Sequence, residues 1–202
     1  MASRTEIEHV LSVFPEISRI GDPELRENVT GIWCEILGEM AWDDIHHVPK
    51  NNSSEKHRTL VEHIRGVTAM AMSLAEIAER IQGVAIDHDA LLAAALLHDA
   101  SKPVETEPDP AAPVMDPAHS PRPSRTSALG AQIQHAVYVA HKMFARNMSH
   151  DLINLVITHT HQSNVRGKSV ESAILFYADF ADSDVGLAGA GGRMFAERWA
   201  MA

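Results

Sequence analysis

Apolar residues recur three and four positions apart along nearly the whole chain, the spacing of one helix face. On five successive faces of this kind a histidine or aspartate occupies a position that should be apolar. Two-residue alternation is not evident, so the expected fold class is all-α. The 202 residues, 45% of them hydrophobic, are enough to bury one sizeable core. The expected organisation is an N-terminal helical extension over 1–53 and a helical bundle over 54–202.

The first helix is expected over 6–13, stopped by Pro15. Asp22-Pro23-Glu24 reads as an N-cap, a first-position proline and a first-turn acid. The helix they open carries Leu25, Val29, Ile32, Trp33, Ile36, Leu37 and Met40 on one side. After a polar turn at 49–54, a long helix over 54–81 shows the stripe Leu60, Ile64, Val67, Met70, Ala71, Leu74, Ile77, Ala78 and Ile81. Asp87 caps a helix over 90–99 that is apolar on nearly all sides and therefore central. Prolines exclude a regular helix from 101–127, a stretch long enough to be a binding loop or a surface insertion. Helices resume over 128–146, 149–160 and 169–181. A glycine-rich turn at 186–192 leads to a short terminal helix with Met194, Phe195 and Trp199.

Composition removes several function classes. Cys34 is the sole cysteine, so an internal disulfide and a thiolate zinc site are both impossible. Its apolar neighbours mark it as a buried small hydrophobe. The net charge of −10 argues against binding a nucleic acid duplex. No apolar run is long enough to cross a bilayer, and the charged N-terminus lacks the apolar stretch of a signal peptide. A cytoplasmic location with no membrane contact is the expectation. Trp33, Trp42 and Trp199, in peripheral helices, would suit a homodimer surface. The unusual quantity is 13 histidines, because imidazole is both the commonest metal ligand and the usual neutral-pH acid or base.

His63 falls between Leu60 and Val67 on the stripe of its helix. His98 ends the face of Leu91, Ala94 and Ala95. His135 shares a face with Ala131, Tyr138 and Val139, and His159 continues that of Leu152, Leu155 and Val156. Asp179 follows Leu175 and Phe176. Residues three and four apart on a helix are neighbours, so each polar group points toward the core. A buried carboxylate is costly unless paired or bound to a cation. A shared divalent cation explains Asp99, Asp179 and four imidazoles together. Such ligands suit iron, manganese, zinc, cobalt or nickel.

The motifs at these points are Glu62-His63-Ile64-Arg65-Gly66-Val67, Leu96-Leu97-His98-Asp99-Ala100-Ser101-Lys102 and Tyr177-Ala178-Asp179. Their order, a histidine, a His-Asp dyad and a distant aspartate, resembles the HD superfamily of metal-dependent phosphohydrolases over about 54–184. The resemblance implies a helical HD bundle with one or two divalent metals. It places His63, His98, Asp99 and Asp179 on one metal and Asp99, His135 and His159 on the other, with Asp99 bridging. Val156-Ile157-Thr158-His159-Thr160 also looks like small bacterial HD phosphohydrolases that cleave dinucleotide polyphosphates. The proline-rich stretch lengthens the gap before His135, which leaves His119 and His141 as competitors for its place.

The expected activity is hydrolysis of a nucleotide or other small phosphorylated molecule by water activated on the metal. Asp99 and Lys102 are the expected catalytic residues, Lys102 holding a phosphoryl oxygen. His161 reaches the pocket only if its helix ends near Thr160. Arg122, Arg125, Arg166 and Lys168 lie in loops that could close over an anion, and Arg65 is turned to a second layer or the surface. HD proteins with the same six ligands include two-iron oxygenases, so ligand identity does not separate the two chemistries. Hydrolysis of a non-phosphate bond and a non-catalytic regulatory module are the remaining alternatives.

Overall fold

The computed structural model describes residues 2–51, 55, 57–113, 120–160 and 163–199, with side chains through 197. Helices dominate. They are α1 (Arg4–Val13), α2 (Pro23–Glu39), α3 (Leu60–Gln82), α4 (His88–Leu97), the single turn α5 (Lys102–Glu105), α6 (Val137–Ala145), α7 (His150–Thr158), α8 (Val170–Gly189) and the short α9 (Phe195–Trp199). Tight 3-10 turns lie at Pro15–Arg19 and Ile45–His47. Among the described residues no helix is long and apolar enough to cross a membrane.

The central element is α4. All its residues from Leu91 to Leu97 are buried, as expected of a helix apolar on every side. It packs against α2, α3, α7 and α8. Residues of α1 and α2 share one continuous apolar cluster with α3 and α4. Caps fix where the helices begin. The Asp22 side chain accepts from the N–H groups of Glu24 and Leu25, and Thr59 with Glu62 forms a reciprocal capping box at the start of α3.

Several boundaries differ from the sequence reading. The long helix starts at Leu60, not near 54, because Leu60 N–H is drawn to the Val48 carbonyl at 2.8 Å and Thr59 takes the cap. The stripe expected on α3 is buried only in its first half. Leu74, Ile77 and Ile81 are exposed. A small antiparallel hairpin was not foreseen: β1 (Thr106–Pro108) pairs with β2 (Ser124–Thr126) inside the proline-rich segment. Each strand is three residues long, too short for alternation to show. Residues 114–119, including His119, lie outside the described residues. The segment 128–136 forms turns rather than helix, and α8 runs through Gly186 to Gly189.

Trp33 is fully buried and Trp42 nearly so, which withdraws both from the homodimer surface suggested above. The side chain of Trp199 is outside the described residues. Trp33 stacks on Phe14 with ring centroids 4.3 Å apart. Its Nε1–H donates to the Leu96 carbonyl at 3.1 Å, on the last turn of α4 before the His98-Asp99 dyad. Cys34 is free and buried, as expected. Trp33→Ala should lower stability by about 3–5 kcal/mol, read as a lower denaturant midpoint at unchanged slope. A loss below about 1 kcal/mol, the range of ordinary surface changes, would contradict this packing.

Candidate metal centre

Two helices end at the same point. His98 closes α4 and His159 closes α7. Both imidazoles use the same local device. Nδ1 of His98 bonds the Ala95 carbonyl at 2.7 Å, and Nδ1 of His159 bonds the Val156 carbonyl at 2.5 Å. Those carbonyls belong to the last turn, where helical acceptors lack intrahelical partners. The negative ends of both helix dipoles also lie here, which favours a cation.

A carbonyl oxygen only accepts, so Nδ1 carries the proton in both rings. In the neutral ring Nε2 is then a bare lone pair. Burial holds His98 neutral, with its pKa pushed down to about 3. Its Nε2 lies 3.6 Å from Asp99 Oδ2 and 3.3 Å from His63 Nε2. That of His159 lies 3.7 Å from Asp99 Oδ1. The His98 lone pair and the carboxylate repel each other unless a cation lies between them.

His63 sits one turn into α3, fully buried, with Nε2 3.1 Å from Asp99 Oδ2 and 3.3 Å from Asp179 Oδ1. His135 Nε2 is 2.9 Å from Asp99 Oδ1. Each oxygen of Asp99 therefore faces its own pair of imidazoles, Oδ2 toward His63 and His98, Oδ1 toward His135 and His159. Two groups of ligand atoms close enough for one ion result: His63, His98 and Asp99, and Asp99, His135 and His159. This donor set, imidazole nitrogens with a shared carboxylate, fits borderline divalent transition metals.

The remaining nitrogens of the other two histidines are held by carboxylates. Asp182 Oδ2 lies 2.6 Å from His63 Nδ1, and Glu105 Oε2 lies 2.8 Å from His135 Nδ1. Ser101 donates to Glu105 at 2.5 Å. Such partners fix ring orientation and strengthen the ligand. The sequence reading missed both acids. Asp182 had a signal, since it stands three residues after Asp179 on the same helix face. Glu105 had none. His135 itself is in a turn, not on the helical face expected for it. Ala136 follows with φ of 67° and caps α6. Its competitor His141 is exposed.

A cavity of about 290 Å³ opens over these groups. Lys102 lines it, with Nζ 2.6 Å from Asp99 Oδ2 and 3.1 Å from the Lys50 carbonyl. Lys50, a second cation not foreseen from sequence, lines it too, as do Phe180 and Phe195. Burial opposes an ionised Asp99, but the Lys102 ammonium and the surrounding imidazoles hold its pKa well below the usual range. The other loop candidates lie away from the cavity. Arg122 pairs with Asp43 at 3.1 Å, and Arg125 pairs with Glu107 at 2.5 Å. Arg166 bonds nearby backbone carbonyls, and Lys168 is exposed. Arg65 pairs with Glu16 at 2.8 Å at the surface. His161 lies outside the described residues.

Burial disfavours charge on His63, yet the carboxylates of Asp179, Asp182 and Asp99 outweigh it and push the pKa up to about 9. Asp99 and Glu105 do the same for His135, also to about 9. Both values stand above the ordinary 6.5. The stability these rings add to the metal-free protein is therefore full below pH 6.5 and lost as pH rises through about 9. A metal competes with the same protons. Its apparent affinity should climb across that window, with proton release visible by calorimetry in buffers of different ionisation enthalpy. A flat affinity between pH 6.5 and 9 would contradict the assignment.

Comparison with known proteins gives a family and one curated relative. The family model described as HD domain matches residues 60–183. A curated relative, the dihydroneopterin 2',3'-cyclic phosphate phosphodiesterase of Methanocaldococcus jannaschii, is 29% identical over 129 residues, covering 62% of this chain. The match spans 47%, about half, of that relative's length. No solved structure matches. With the family model covering more than half the chain, this chain belongs to the HD domain family.

Proposed function

We propose that the protein is a metal-dependent phosphohydrolase that cleaves a small phosphate ester. The six ligands of this reading are His63, His98, Asp99, His135, His159 and Asp179. The observation that carries it is the direction of Nε2 of His98 and His159, whose Nδ1 atoms bond carbonyls of their own helices, toward the two oxygens of Asp99. A bound divalent metal supplies a Lewis acid and lowers the pKa of water held beside it.

The chain's own residues supply the rest. Asp99, held ionised, is a poor proton acceptor and serves as a cation ligand shared by the two groups. Lys102 stays charged, because the attraction of Asp99 exceeds the cost of burial. From its place on the cavity wall Nζ can hold a phosphoryl oxygen and offset the charge that grows on it during attack. Water adds to phosphorus, one P–O ester bond breaks, and the proton that water gives up ends on the leaving alkoxide. Phe180 and Phe195 form an apolar wall beside the site and exclude bulk water from that side.

The cavity is at the small end for ligand sites, which suits a mononucleotide-sized molecule better than a dinucleotide polyphosphate. The relative's name makes a 2',3'-cyclic phosphate the first substrate to test. A panel of cyclic phosphates, nucleotides and dinucleotide polyphosphates should show anaerobic turnover with manganese. Turnover that needs ferrous iron and consumes oxygen would contradict the hydrolase reading. Asp99→Ala should empty the site and abolish the reaction. Lys102→Met should keep its metal and lose about 10²–10³-fold in kcat; an unchanged kcat would remove Lys102 from the mechanism.

A further inference from the structure

A line of charges, buried except for the partly exposed Arg58, runs from the segment before α3 into α8 and ends on one imidazole. Lys50 Nζ lies 2.7 Å from Glu55 Oε2 and donates to Ser183 Oγ at 2.7 Å. Glu55, fully buried, pairs through Oε1 with Arg58 Nη1 at 3.2 Å. Arg58 grips Asp182 with two prongs, Nη2 reaching Oδ1 at 3.0 Å and Oδ2 at 2.8 Å, while Nη1 donates to the Asp182 carbonyl at 3.0 Å. Asp182 then holds Nδ1 of His63 at 2.6 Å. The signs alternate from Lys50 to His63. Buried ions cost several kcal/mol each unless every one is paired, so the members of this line depend on one another.

Two glycines make room for it. A Cβ at Gly66 would collide with the Asp182 carboxylate, and one at Gly186 with Arg58 and Glu55. Both positions lie inside helices, where glycine is about 0.5–1 kcal/mol worse than alanine. Space for the charges is what that loss secures.

Among the imidazoles of the site the line holds only one. It ends on His63, which belongs to the first group of ligand atoms, whereas His135 in the second group is held by Glu105. We propose that Arg58, braced by Glu55 and Lys50, is a positioning residue that sets metal affinity at the His63 position separately from the other. This rests on the metal reading above. Asp182 strengthens His63 as a ligand, and the guanidinium fixes Asp182 by holding its carboxylate with Nη2 and its carbonyl, together with Glu55, with Nη1, a planar pair of nitrogens that lysine's single ammonium cannot reproduce.

The test is a cobalt(II) titration of the wild type, Arg58→Lys, Gly186→Ala and His159→Ala, followed by calorimetry and visible absorption. Circular dichroism checks folding, and Arg58→Lys decides alone if Gly186→Ala does not fold. Arg58→Lys and Gly186→Ala should weaken one class of cobalt about 10–100-fold and leave any other within about twofold. The weakened class should be the one that His159→Ala spares. A purely structural role would weaken both classes together or neither, and either result overturns the proposal. Wild-type protein that takes up no cobalt would overturn the metal reading itself. Wild-type uptake with unchanged Arg58→Lys and Gly186→Ala titrations would overturn only the positioning role.

Discussion

Asp99 is almost wholly buried and ionised, and at 2.6–3.7 Å its two oxygens face one ammonium and four imidazole nitrogens drawn from five segments of the chain. One of those nitrogens, Nε2 of His98, cannot donate, because burial holds that ring neutral and its one proton goes to the Ala95 carbonyl. Lys102 and the raised histidines balance the carboxylate in the metal-free protein. A cation placed among them gives Nε2 of His98, Nε2 of His159 and both oxygens of Asp99 a common partner. Much of the surrounding architecture serves to keep these groups facing inward.

The fold does this with helix ends rather than helix faces alone. The central α4 is apolar and buried from Leu91 to Leu97 and therefore immobilised by packing on all sides there. Its C-terminal turn, pinned by the Trp33 hydrogen bond to Leu96, delivers His98 and Asp99. The end of α7 delivers His159 by the same carbonyl device. The first turn of α3 and the middle of α8 bring His63 and Asp179. Each half of the site has its own supporting carboxylate, Asp182 or Glu105, so the two halves have different mechanical footings.

The helical class and most of the polar residues of the candidate site were legible in the sequence because polar residues on inward faces stand out against apolar periodicity. His63, His98, Asp99, His159 and Asp179 all announce themselves in this way. His135 was found by a face that does not exist. Its segment is held in turns where Gly130 crosses the backbone of Glu105 too closely for a side chain. The exposed second half of the α3 stripe shows the limit of the same signal, since periodicity reports an apolar face and not what covers it. Lys50 was invisible because it lies in a polar turn without periodicity, and Glu55 and Arg58 because they were read as the polar start of the long helix, where a charge in contact with solvent and a charge in a buried line read alike.

The most direct test is anomalous scattering from a crystal of the protein grown with manganese. An ion should lie about 2.0–2.2 Å from Nε2 of both His63 and His98, with an Asp99 oxygen completing its contacts. Density for the ion elsewhere on the surface, with His98 Nε2 still facing Asp99 across an empty gap, would contradict the account.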